Sequence, residues 1–214
     1  GAMDSAGTES NNRERLGDYY LYPLAARTTI ANAQQKQVSF LDVKGAPARS
    51  TYEFVNRWLG SSTDPVSTAS VLRFSTAKQG GLGDQLPAGT IRVYMRDARG
   101  DPQFIGENSI GHTPMGSAMS LRTGDAFDVK VQTTVVSRTR KGDSRWVTNM
   151  KYVVTNARPV AATVLVAQDG LYGDVRIADE SLKSDRVSAD RVEWQVPVPA
   201  GGKVELTATF DTRY

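Results

Sequence analysis

The sequence predicts an all-β protein, an antiparallel β-sandwich or two packed β-subdomains, and three observations carry that prediction. Apolar residues recur at every second position in the longest patterned segments, the mark of a strand with one buried and one wet face. Glycine, proline, asparagine and aspartate gather between those segments, where tight turns need them. No well-capped amphipathic helix of ten or more residues stands out, and only Ser181 to Asp190 is expected to hold a short one.

Gly1-Ala2-Met3 reads as the scar of a cleaved tag and Asp4 to Arg15 as a polar leader, which places the sandwich at residues 16–214. Tyr19, Tyr20 and Tyr22 are read as packing residues of a first strand rather than as a platform for sugar rings. Ser50 to Trp58, Val66 to Thr76, Thr90 to Arg96 and Gln103 to Ile110 read as strands, with Asp97-Ala98-Arg99-Gly100-Asp101 closing a hairpin. A Gly/Ser/Met stretch at residues 115–126 is the candidate division between subdomains. Phe127, Val129, Val131, Thr133 and Val135 then share one face, a polar turn follows near Lys141-Gly142-Asp143, and a return strand carries Met150, Tyr152 and Val154. Asn156-Ala157-Arg158-Pro159 ends that pairing, and Val160 to Val166 begins the next strand. Val192, Trp194, Val196 and Val198 alternate before Pro199-Ala200-Gly201-Gly202, and Val204, Leu206, Ala208 and Phe210 alternate after it. These two strands are expected to pair as an antiparallel hairpin.

Composition narrows the function. Twenty-six basic against 23 acidic residues leave a net charge of +3, too little concentrated charge for nucleic acid to be an expected partner. No apolar run approaches the length of a membrane span, so no integral membrane segment is expected. Cysteine is absent, which removes disulfides, thiolate catalysis and cysteine-ligated metals.

The motifs that resemble chemistry read as structure. His112 is the single histidine, without companions at metal-ligand spacing, and is expected to be a turn residue in Gly111-His112-Thr113-Pro114. Gly80-Gly81-Leu82-Gly83 lacks the Lys-Ser/Thr and the following helix of a phosphate loop, and reads as a tight inter-strand turn. Ser109 stands outside the Gly-x-Ser-x-Gly spacing, and Ser75-x-x-Lys78 runs into glycines rather than a helix. Glu107, Asp125 and Asp128 are carboxylates that a fold could pair for glycoside hydrolysis, but solvated faces and turn caps account for them. The expectation is therefore no catalytic residue, no cofactor and no metal.

Arg138, Arg140, Lys141 and Arg145 collect at the expected tip of the long hairpin. They are the candidate binding residues, since cations there can meet lipid phosphates or acidic polysaccharide.

One resemblance runs through most of Leu82 to Tyr214. It is carried by Gly81-Leu82-Gly83, the run Leu86 to Tyr94 (LPAGTIRVY), Phe104-Ile105-Gly106-Glu107, His112-Thr113-Pro114, the run Gly124 to Val129 (GDAFDV), Asn156 with Pro159, and the closing run Val196 to Gly201 (VPVPAG). In these segments the chain resembles the C-terminal conserved domain, of unknown function, of mucoidy inhibitor A-like bacterial proteins. The resemblance implies a β-rich second half of a longer exported protein and no settled enzyme activity. The expectation is a non-catalytic, exported bacterial module, periplasmic or associated with the cell envelope, that binds an envelope protein or polysaccharide. The alternative is a carbohydrate-active enzyme or a polysaccharide-binding domain. Two facing carboxylates in a cleft would favour the enzyme, and an exposed aromatic patch would favour sugar binding.

Overall fold

Alternating β-branched and aromatic residues fit a pleated surface buried on one side, and every regular element among the described residues is a strand. The computed structural model describes residues 14–16, 19–21, 29–33, 35 and 43–214. The short hairpin β1 (Glu14–Leu16) and β2 (Tyr19–Leu21) begins inside the segment expected to be leader. Residues 1–13 and Tyr22 lie outside the described residues, and backbone pairing is all that is described of Tyr19 and Tyr20.

The main sheet contains β3 (Ala48–Asn56), β4 (Val66–Ser75), β7 (Ala118–Arg140), β8 (Arg145–Asn156), β9 (Ala162–Gln168), β10 (Asp174–Glu180), β11 (Asp185–Ser188), β12 (Arg191–Val198) and β13 (Gly202–Arg213). Its order is β10-β13-β8-β7-β4-β3-β9-β12-β11. β5 (Gly89–Arg96) and β6 (Pro102–Ile110) form a separate antiparallel arm. Asp97 closes it by accepting from the backbone N–H groups of Arg99 and Asp101.

The nine-stranded sheet folds over on itself at β7. The N-terminal part of β7 pairs with β4 and the C-terminal part with β8, so one strand belongs to both layers. It begins at Ala118, inside the 115–126 stretch named from sequence as a candidate division. Trp194 of one layer meets Tyr152 and Phe210 of the other, at ring-centroid distances of 5.7 and 6.4 Å, and all three are buried. Valines complete this interface: Val164, Val166, Val192, Val196 and Val198 face Val129, Val131 and Val154 in one core.

Three local expectations are corrected. Ser181 to Asp190 holds no helix; its larger apolar residues, Leu182 and Val187, give no helical stripe, and Asp185–Ser188 pair with β12 instead. Phe127 does not share the buried face of β7 and is 82% exposed. The ladder steps from Ser67↔Lys130 to Thr68↔Ala126, a bulge that the Thr68 hydroxyl bridges by donating to Val129 O at 3.1 Å; Ala126 packs on the core where Phe127 is expected. The third correction concerns β12 and β13, which form no hairpin. β12 pairs with β9 and β11, while β13 pairs with β8 and β10. Their apolar faces meet across the core instead of their edges meeting in a ladder. Residues 199–201 carry the chain between layers, with Gly201 N–H donating to Arg158 O and the Asn156 amide donating to Pro199 O.

Every ladder in the main sheet is antiparallel except β3 with β9, which run parallel from Tyr52↔Val164 to Asn56↔Gln168. Parallel neighbours end at the same edge of a sheet, so the loops that follow β3 and β9 leave the sandwich side by side.

Candidate functional site

At the end where β3 and β9 finish, four aromatic side chains surround a groove of about 370 Å³: Trp58, Trp146, Tyr172 and Tyr214, with Arg138, Thr148 and Thr212. Trp58, Tyr172 and Tyr214 are 61%, 72% and 75% exposed, while Trp146 is half-buried. Exposed rings of this size on three separate segments are a departure from the polar surface a loop end ordinarily presents.

Local structure explains why Trp58 and Tyr172 stay outward. Trp58 follows β3 in a tight turn, with Gly60 N–H donating to Trp58 O at 2.8 Å. The next residues are laid along β7: the Ser61 and Ser62 hydroxyls accept from Val135 and Thr133 N–H at 2.8 and 3.1 Å. Tyr172 sits between Leu171, which is buried in the core, and Gly173. Gly170 (φ 70°) and Gly173 (φ 89°) are left-handed, and a Cβ on Gly170 would occupy the Arg57 carbonyl oxygen while one on Gly173 would lie 2.5 Å from Arg213 O. The loop thus presses its backbone against the segments that carry Trp58 and Tyr214, and only glycine allows the approach.

Beneath the two loops lies a buried polar network. Gln168 Oε1 accepts from Asn56 Nδ2 at 2.9 Å and from the Tyr152 hydroxyl at 2.6 Å, and Gln168 Nε2 donates to Asp169 O at 2.7 Å and Asn56 O at 3.3 Å. Asp169 N–H donates to Asn56 O at 2.8 Å, and Arg191 Nη1 donates to both Asp169 carboxylate oxygens at 3.0 and 3.1 Å. Burial pushes the Tyr152 hydroxyl far up, so it remains a neutral donor. Asn56 and Gln168 are the last residues of β3 and β9. The network therefore ties together the two strand ends from which Trp58 and Tyr172 depart.

The four predicted cations lie at this end of the molecule, but three are engaged by the protein. Arg145 donates to both oxygens of Asp211 at 2.9 and 2.6 Å, and its guanidinium holds that carboxyl below the usual range. Arg140 closes its own turn through Gly142 O and Asp143 O at 2.9 and 3.1 Å. Arg138 donates from Nε to Thr148 Oγ1 at 3.3 Å and from Nη2 to Leu59 O, and it alone of the four lines the groove. Lys141 makes no side-chain hydrogen bond or ion pair among the described residues.

The remaining candidates lie elsewhere. His112 Nδ1 accepts from Ala88 N–H at 3.3 Å beside the bridge between Leu86 and Thr113. Glu107 is paired with Arg92 at 3.1 Å and Asp125 with Arg122 at 2.5 Å, so the two carboxylates are held by different arginines. The Ser75 hydroxyl accepts from Ala77 N–H at 3.0 Å, and Leu82 and Gly83 N–H groups donate back to Ser75 O and Ala77 O, which makes this stretch the tight turn its glycines predict. Among the described residues no cluster of three histidine or acidic side chains is arranged to hold a metal, and no helix is long and apolar enough to cross a membrane.

Sequence reasoning missed Trp58, Trp146, Tyr172 and Tyr214 as site residues. The local signal was Gly170-Leu171-Tyr172-Gly173, an aromatic residue in a glycine-bounded turn directly after an apolar strand. No family model matches the chain, and neither the curated proteins nor the solved structures contain a match to it.

Proposed function

We propose that this protein is a non-catalytic recognition module, exported to the bacterial periplasm or cell envelope, whose aromatic groove holds a segment of polysaccharide. The observation that carries the reading is the convergence of Trp58, Trp146, Tyr172 and Tyr214 on one groove beside the exposed Arg138 guanidinium, with Thr148 and Thr212 buried in its wall. A pyranose ring has an apolar C–H face and a hydroxylated edge. Flat rings flanked by a guanidinium and by tyrosine hydroxyls match both features, and rigid aromatic side chains lose little conformational entropy on binding.

No carboxylate side chain is among the described residues lining the groove, which favours binding over glycoside hydrolysis, a reaction that needs two carboxyl groups about 5 to 9 Å apart. The placement in the envelope draws on the resemblance to the mucoidy inhibitor A-like domain. An envelope protein is the other partner class expected from sequence, and it would be met by a longer, less ring-specific surface than this groove.

Affinity electrophoresis through gels containing neutral and acidic polysaccharides tests the reading. At least one polymer is expected to retard the protein, and Trp58→Ala is expected to weaken that retention about thirtyfold, the effect of losing one aromatic hot spot of ~2 kcal/mol. Retention unaffected by Trp58→Ala, or none on any polymer, would remove the proposal.

A further inference from the structure

We infer that the groove selects acidic sugars, with Arg138 contacting the carboxylate of a hexuronate stacked on the aromatic rings; this rests on the glycan-binding reading above. Arg138 is the one charged side chain among the residues lining the groove. Its surroundings leave it uncompensated there. Asp211, one ladder step away opposite Val147, is occupied by Arg145, and Asp143 lies in the turn with Arg140. The tip, residues 138–145, therefore presents four cations against one acid, Asp143, which does not line the groove.

Geometry also prepares the guanidinium. Nε and Nη2 are engaged by Thr148 Oγ1 and Leu59 O, so the plane is fixed before a ligand arrives, while Nη1 makes no hydrogen bond among the described residues. An anion meeting Nη1 gains a charge-assisted hydrogen bond without ordering a flexible side chain. The carboxylate of a hexuronate extends from the edge of the pyranose ring. Stacking the ring on an aromatic face therefore sends the charge sideways toward the rim, where Arg138 stands, rather than onto the rings. A neutral hexose presents a CH₂OH at the same position and forgoes the ionic part of the contact.

The test compares polygalacturonate with the same polymer after its carboxyl groups are reduced to alcohols, by affinity electrophoresis at low salt. The wild-type protein is expected to bind the acidic polymer about tenfold more tightly, with the preference falling as salt is raised. In Arg138→Gln, with folding checked by thermal melting, the ratio of the two affinities is expected to fall to about one, whatever happens to each affinity alone. Equal wild-type binding of both polymers would overturn the inference and leave the glycan-binding reading intact. A preference that survives in folded Arg138→Gln would also overturn it. Binding to neither polymer, nor to any in the wider panel, would defeat the underlying reading and the inference with it.

Discussion

Among the described residues exposed aromatic rings gather in two places, with Phe127 exposed singly, and only one of the two is built as a site. On the β5–β6 arm, Tyr94 and Phe104 are cross-strand neighbours, edge to face at 5.7 Å and more than half exposed. No residue of that arm belongs to the buried core, and its attachment to β7 includes the Asn108 amide donating to Arg122 O at 2.9 Å and the close approach of Gly106 to the Thr123 backbone. At the hairpin end, rings from distant segments converge above Asn56, Tyr152 and Gln168, all buried and mutually bonded. Exposure alone therefore does not mark a site. A rigid layer beneath several converging rings distinguishes a surface that can hold a ligand from a pair that stiffens a ladder.

One substitution removes the buried layer beneath the groove. Gln168→Leu deprives the Asn56 amide and the Tyr152 hydroxyl of their shared acceptor, and is expected to destabilise the fold by ~2–4 kcal/mol in denaturant titration. Polysaccharide retention should weaken even in conditions where the variant stays folded. Tyr94→Ala on the arm, measured in parallel, should cost under about 1 kcal/mol and leave retention unchanged. Equal effects from the two substitutions would erase the distinction.

A smaller effect separates the core tryptophan from the groove tryptophans. Glu180 accepts from Trp194 Nε1 at 3.0 Å and from Ser184 N–H at 3.2 Å, with Lys183 at 3.4 Å. Burial pushes its carboxyl up, but the contacts with Ser184, Trp194 and Lys183 outweigh burial and hold it below the ordinary 4.5. A carboxyl lowered in the folded state contributes stability that is complete above its unfolded value and is lost as pH falls through the folded one. Glu180→Gln should therefore flatten the acid side of the stability profile below about pH 4.5 and leave polysaccharide binding at neutral pH unchanged. An unaltered acid profile would show that Glu180 is not held ionised by these donors.

Buried faces were legible in the sequence because a strand's side chains alternate strictly. Val129, Val131, Met150, Tyr152, Val154, Val196, Leu206 and Phe210 all lie in the core as the period-two pattern requires. Partners were not legible to the same degree. Alternation says which face is covered but not which edge is paired, so β12 and β13 fit a hairpin and a layer crossing equally well on pattern alone. The groove was hidden for the same reason. It exists because β3 and β9, separated by more than a hundred residues, run parallel and end together, a contact that no local spacing announces. The four cations named from sequence divide by position: Arg145 and Arg140 bond the protein's own acids and carbonyls away from the groove, while Arg138, bonded to Thr148 and Leu59, lines it.

The chain holds three tryptophans, one for each environment in this account: Trp58 exposed at the groove, Trp146 half-buried in its wall, and Trp194 sealed in the core. Their indole N–H resonances can be followed separately by ¹⁵N NMR while a hexagalacturonate is titrated in. The Trp58 and Trp146 signals are expected to shift along a common saturable curve while Trp194 stays in place. If both groove signals remain still, or if the shifts fall instead on the Tyr94 and Phe104 amides of the arm, the hairpin-end groove is not where this protein meets a glycan.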